Sequence, residues 1–195
     1  MSDLKPTTAL PPEAFNPLSL TGRTVMVTGA SSGIGRATAI YLSKLGARII
    51  ATGRDESRLQ VTLDALPGAG HVGRVMDLSL SEAIVPWMKD TCATYGPLDG
   101  LAHCAGIQSM RPLQMVTVGY VQEILNANLV AAIALAQGFR LKACHNPGAA
   151  LVLVSSTAAL KGAAGNSVYA ASKGAIISLT RSLGLELLRD KIRVN

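Results

Sequence analysis

Thr24-Val25-Met26-Val27-Thr28-Gly29-Ala30-Ser31-Ser32-Gly33-Ile34-Gly35 decides the fold of this chain. A β-branched, apolar run of strand length enters a turn with three glycines in the order G-x-x-x-G-x-G. An amphipathic stretch leaves the turn and runs from Ile34 to Gly46. At a strand-to-helix turn, glycines let the backbone come close to a pyrophosphate. The first helical turn there supplies free N–H groups and a partial positive charge. Gly29, Ser31, Ser32, Gly33, Ile34 and Gly35 are therefore the candidate dinucleotide cradle. An ordinary glycine-rich turn is the plain alternative, and the position between strand and helix disfavours it.

Working outward, four further short apolar runs read as strands: Arg48 to Thr52, His71 to Met76, Leu98 to Cys104 and Leu151 to Ser155. Helix-length segments lie between them, punctuated by Gly46, Gly96-Pro97 and Asn146-Pro147-Gly148. Strands apolar on both faces and alternating with helices require a parallel sheet covered on both sides. The expected fold is a doubly wound α/β sheet of Rossmann-like type. One dinucleotide-binding and catalytic domain is expected over residues 18–195, after a loose, proline-containing arm over residues 1–17.

Composition narrows the function classes. With 49% apolar and 15% charged residues, the chain can bury a large core, which excludes global disorder. A net charge of +6 raises nucleic acid as a partner, but the cations are spread thinly and aromatic residues are scarce, so none is expected. The longest apolar runs, Leu129 to Ala136 and Ala149 to Val154, fall well short of the ~20 residues of a membrane helix, so no membrane partner is expected either. The arm lacks the apolar stretch of a signal peptide. Cys92, Cys104 and Cys144 are far apart and form no zinc-type pair, so the expectation is a reduced, cytoplasmic protein with no metal site.

The second strand bears on the cofactor. An acidic residue at its end commonly holds a ribose 2′-hydroxyl, whereas an Arg accommodates a 2′-phosphate. Here Ala51-Thr52-Gly53-Arg54 has no carboxylate before Asp55. Arg54 can make a forked, charge-assisted contact to phosphate, with Arg36 and Arg58 adding positive field. NADP(H) is preferred, with NAD(H) as the alternative. The competing reading has Arg54 merely capping a solvated helix start beside Asp55 and Glu56.

Tyr169 and Lys173 are four apart in a helical segment from Val168 to Leu188, so they share one face. The pair alone is weak; its chemistry gives it weight. Hydride transfer to a carbonyl leaves an alkoxide that needs a proton, and a Tyr titrates near about 10, some three units (about 4 kcal/mol) from neutrality. A Lys ammonium beside the phenolate removes much of that cost. Ser156, thirteen residues before Tyr169, stands at the carboxyl end of the fifth strand, where doubly wound sheets place their ligands. Its hydroxyl can meet the Tyr hydroxyl over a substrate oxygen. Asn128 interrupts an otherwise apolar helix, and a buried Asn needs partners.

In order and spacing, the glycine turn, Asp77, Asn128, Ser156, Tyr169-x-x-x-Lys173 and Ile192-Arg193-Val194-Asn195 resemble the short-chain dehydrogenase/reductase family. The match spans about Leu20 to Asn195, and within the family it looks most like 3-oxoacyl-carrier-protein reductases. The resemblance implies an oxidoreductase interconverting a small-molecule carbonyl and alcohol. Tyr169 would be its acid/base, tuned by Lys173, with Ser156 orienting the substrate. Asn128 would bend its helix and hold a water linked to the Lys, with Asn126 the lesser candidate. The resemblance also implies that Asp77-Leu78 holds the adenine, that Ala105-Gly106 lies against the cofactor, and that the protein is a homodimer or homotetramer.

Two departures from the family stand out. Relatives read Asn-Asn-Ala-Gly where this chain reads His103-Cys104-Ala105-Gly106, which replaces an Asn that ties neighbouring strands; Cys104 is expected to pack as a small apolar group. The family pattern also continues beyond Asn195 through a substrate-covering segment and a last strand, so the sequence reads as C-terminally truncated. A non-catalytic dinucleotide-binding module is the competing function, and a sugar-nucleotide epimerase or dehydratase a third.

Overall fold

The computed structural model describes residues 16–195, so most of the expected arm over residues 1–17 lies outside the described residues. Six parallel strands form one sheet in the order β3-β2-β1-β4-β5-β6: β1 (Thr24–Thr28), β2 (Arg48–Gly53), β3 (Val72–Val75), β4 (Leu98–His103), β5 (His145–Leu153) and β6 (Arg193–Val194). The order reverses between β1 and β4, which opens a crevice at their carboxyl ends. The doubly wound expectation holds.

Helices cover both faces of the sheet, one of them only in part. Helices α1 (Gly33–Lys44) and α2 (Glu56–Asp64) cover one face, where Val27, Ala39, Ile49, Ala51 and Leu59 pack together. Helices α3 (Ser81–Tyr95), α4 (Val118–Leu125), α5 (Ala131–Arg140) and α6 (Ser167–Glu186) cover the other, around Met26, Ile50, Leu101, Leu135, Phe139 and Leu151. Burial of apolar side chains on both faces is the main stabilising contribution. On the first face the outer strands are open: a cleft runs past Leu20, Val25, Ala102 and Ala150, and Val152 there is exposed.

One expectation needs correction. The fifth strand starts at His145, not at Leu151: His145 pairs with Leu98, and a register shift before Gly100 lets Pro147 and Gly148 sit within the strand. The strand therefore ends at Leu153, and Ser155 and Ser156 lie just beyond it. Separately, α4, a π-helical turn over Asn126–Val130, and α5 join into one helix over Val118–Arg140. It is apolar and long enough to cross a membrane, although no single apolar run in it is. Its apolarity has a use inside the fold, since Ala131, Ala132, Leu135 and Phe139 are buried against the sheet.

Candidate active site

The glycine turn leaves the carboxyl end of β1. Gly29 and Gly33 adopt positive φ (68° and 51°), a region that glycine enters without strain. A Cβ on Gly29 would stand 2.8 Å from the Cα and N of Ala105, and one on Gly35 would overlap the Gly29 carbonyl. The turn is thus folded tightly on itself and against the segment that follows β4. Ser32 is the N-cap of α1, yet its side chain makes no capping bond. The first amides of the helix are therefore free to receive an anion. Ser32, Gly33 and Ile34 are exposed around them, so glycine geometry and free amides together suit a pyrophosphate.

Arg36 has a role that the sequence reading missed. Its Nη2 donates to the carbonyl of Ser31 at 2.6 Å and its Nε to Thr62 Oγ1 at 2.9 Å, while the Thr62 hydroxyl donates to the carbonyl of Ala30 at 2.8 Å. These bonds tie the turn to α2, so Arg36 is committed to holding its shape. Arg54, just beyond β2, is exposed and makes no ion pair among the described residues. Helix α2 is capped instead by Asp55, which accepts from Arg58 N at 3.0 Å and Ser57 Oγ at 2.8 Å. Those hydrogen bonds hold its carboxyl below the usual carboxylate range. The capping role weighed for Arg54 thus falls to its neighbour. Beyond β3, Asp77 accepts from the Ser79 amide and hydroxyl, which lowers its titration, and Leu78 beside it is half-buried.

The π-helical turn explains Asn128. Extra width in the helix at residues 126–130 directs this fully buried side chain out of the helical ladder. Its Oδ1 accepts from Ile107 N at 2.8 Å, and its Nδ2 donates to Ile107 O at 3.0 Å and to Ser172 Oγ at 3.0 Å. The Ser172 hydroxyl donates in turn to the Tyr169 carbonyl at 2.7 Å. A continuous buried seam therefore runs from the segment after β4, through α4–α5, into the helical turn carrying Tyr169. Ser172 had no signal in the sequence; only the fold reveals it.

Lys173, also buried, donates from Nζ to the Val154 carbonyl at 2.8 Å, and burial holds its ammonium below the ordinary lysine range. Ser155 binds the Lys173 carbonyl at 2.7 Å and so fastens β5 to α6. A Cβ on Gly106 would stand 3.0 Å from Asn128 Oδ1 and 3.4 Å from Lys173 Nζ, so these two groups converge on a glycine. Ser156 opens a short 3-10 turn (Thr157–Ala159) and accepts from Ala158 N at 3.1 Å. Tyr169 is half-buried in the first turn of α6.

His103 takes over the tie between strands expected to be lost. It is buried, and its Nδ1 lies 2.8 Å from Thr28 Oγ1, joining β4 to β1. Because Thr28 Oγ1 also accepts from Ala105 N at 3.3 Å, its hydroxyl proton is free to go to Nδ1. Nε2 is buried with no partner among the described residues. Burial, helped by the Lys173 charge, pushes the ring down to about 3, so it stays neutral. Cys104 packs with the apolar side chains beside α1, as expected.

A protein-family model described as short chain dehydrogenase matches residues 23–195. L-xylulose reductase of Mesocricetus auratus is 37% identical over 180 residues, covering 91% of this chain and 71% of the relative. Carbonyl reductase family member 4 of Danio rerio is 32% identical over 173 residues, covering 89% and 73%. Among solved structures, one from Beutenbergia cavernae, described as an NAD(P)-dependent gluconate 5-dehydrogenase with NADP bound at low occupancy, superposes with a TM-score of 0.82. It is 33% identical and covers 92% of this chain and 72% of that one.

Proposed function

Given that the chain belongs to the short-chain dehydrogenase family, whose members are oxidoreductases that bind nicotinamide dinucleotides, we propose an NADP(H)-dependent enzyme interconverting a small carbonyl compound and its alcohol. The observation that carries this reading is the buried seam Ile107–Asn128–Ser172–Tyr169, with Lys173 converging on the same place. A polar seam fully satisfied inside a core costs desolvation, and it holds its members in one arrangement.

The dinucleotide, when bound, supplies or accepts the hydride. Gly29, Gly33 and Gly35 would give the pyrophosphate room against the α1 amides, and Arg54, which forms no ion pair among the described residues, would meet a 2′-phosphate. Asp77, Leu78, Ala105 and Gly106 complete the cofactor side. Ser156 and Tyr169 address the carbonyl oxygen, and Tyr169 gives it a proton as charge develops. The Lys173 ammonium stabilises the phenolate left behind. Asn128 fixes the segment around Ile107 and, through Ser172, the turn bearing Tyr169.

The test is NADPH oxidation by the purified protein with a panel of ketones that includes a sugar ketone and a 3-oxoacyl thioester, NADH being run in parallel. Tyr169→Phe should lower kcat by about 10²–10⁴ and leave NADPH binding intact. A loss below tenfold removes Tyr169 as the acid, and NADPH binding without turnover would favour the binding-module reading. The three free thiols, two of them buried, suit a reducing, cytoplasmic setting. A homodimer or homotetramer through α4–α5 and α6 is expected, and light scattering that finds a monomer would reject it.

A further inference from the structure

The segment after β4 and the segment between Ser156 and Tyr169 lie side by side at the crevice. Arg111 is where they join: its amide donates to the Gly165 carbonyl at 2.7 Å, four residues before Tyr169, and the Arg111 backbone would lie 3.7 Å from a Cβ on Gly165. The Arg111 guanidinium rests 4.1 Å above the centre of the Tyr120 ring. That ring is itself fixed, because Tyr120 is buried and its hydroxyl donates to the Ser109 carbonyl at 2.6 Å. A cation stacked on an immobilised ring gives up less rotamer freedom when it binds than a free surface Arg does.

What faces this cation is as informative as what holds it. Residues 104–117 and 156–172 contain no Asp or Glu, and each carries one cation, Arg111 and Lys161. Glu123, the acidic residue of α4, makes no ion pair with Arg111, and no other carboxylate does among the described residues. Stacking occupies the face of the guanidinium and leaves its N–H edges for an acceptor. Close by, Asn166, the N-cap of α6, is buried with its Oδ1 unpartnered among the described residues. On the rim between the two segments Met110, Leu113 and Leu160 are well exposed, beside the uncharged polar side chains of Gln108 and Gln114.

We propose that Arg111 is a specificity-determining residue of this site, selecting carbonyl substrates that carry an anionic oxygen group, carboxylate or phosphate, beyond the reacting carbon. The proposal rests on the carbonyl reductase reading and deepens it. The guanidinium edge matches two oxygens of either group, whereas a neutral ester or hydroxyl offers it only an uncharged acceptor. The protein's net charge of +6 favours the encounter with such substrates.

The test compares acids with their neutral counterparts on the whole protein: acetoacetate and levulinate each against its methyl ester, and dihydroxyacetone phosphate against dihydroxyacetone. At least one anionic member should be reduced with a kcat/KM tenfold or more above its partner, and which pair shows it distinguishes carboxylate from phosphate. Arg111→Gln, which leaves the backbone bond to Gly165 in place, should raise KM for that anion at least tenfold with kcat nearly unchanged, and should move the neutral partner less than twofold. Arg111→Lys should restore part of the preference. Neutral partners reduced as well as the anions, or a loss common to both in Arg111→Gln, would overturn the inference while leaving the enzyme reading standing. Absence of turnover with every carbonyl, neutral or anionic, would remove the enzyme reading and this inference with it.

Discussion

The two halves of the sheet make their sites by opposite means. On the β1–β3 side, the phosphate turn depends on side chains that are absent: Gly29 and Gly35 pack backbone on backbone, and the α1 amides stay uncapped. On the β4–β6 side, it depends on side chains that are present and buried, Asn128, Ser172 and Lys173, each satisfied by the others or by backbone. The first half tolerates almost no addition and the second almost no subtraction.

Gly35→Val should break the first half outright. Its Cβ would overlap the Gly29 carbonyl, and neither backbone segment can move while Arg36 pins Ser31. A cost of about 4 kcal/mol or more is expected, read by denaturant unfolding or as lost soluble protein. Stability within about 1 kcal/mol of the parent would show that the turn has room to spare.

Asn128→Ala probes the second half. It leaves Ile107 N and Ile107 O without their partner and takes from the Ser172 hydroxyl the donor it accepts, at an expected cost of about 2–3 kcal/mol in unfolding free energy. Activity should fall with it, because the Tyr169 turn loses its brace. Full activity in a protein that has lost this stability would separate the seam from the chemistry.

Arg54→Ala should act on cofactor choice alone. Loss of one charge-assisted contact of about 1.5–3 kcal/mol should raise KM for NADPH tenfold or more and leave KM for NADH nearly unchanged. Equal effects on both cofactors would remove Arg54 from the 2′-phosphate.

The same contrast explains how much was legible in the sequence. The glycine turn is contiguous and stands between a strand and a helix, so residues 24–35 sufficed to read it. Tyr169, Lys173, Ser156 and Asn128 could be picked out as chemistry, but the bonds among them could not. They link residues 44 apart, from Asn128 to Ser172, and 19 apart, from Lys173 to Val154, and only the folded sheet and the π-turn bring these together. Ser172 and the pinning role of Arg36 were invisible for that reason. The start of β5 was missed because Asn146-Pro147-Gly148 reads as a turn, whereas the strand absorbs it in a register shift.

His103 is the joint between the halves, and it offers the smallest but most specific effect. At neutral pH, His103→Asn should cost about 1 kcal/mol, for one neutral hydrogen bond to Thr28. The difference lies in acid. Above pH 6.5 the ring is neutral folded or unfolded and adds no pH dependence. Below it, the unfolded chain takes up a proton that the buried ring refuses until about pH 3, so the native state loses about 1.4 kcal/mol per pH unit through that window. Asn has no such proton. Unfolding free energies measured between pH 7 and 4 should therefore converge and then cross, with the variant the more stable in acid. Parallel curves would mean that the ring takes up its proton in the fold, with Nε2 finding an acceptor, and that the two halves are not joined by a neutral histidine.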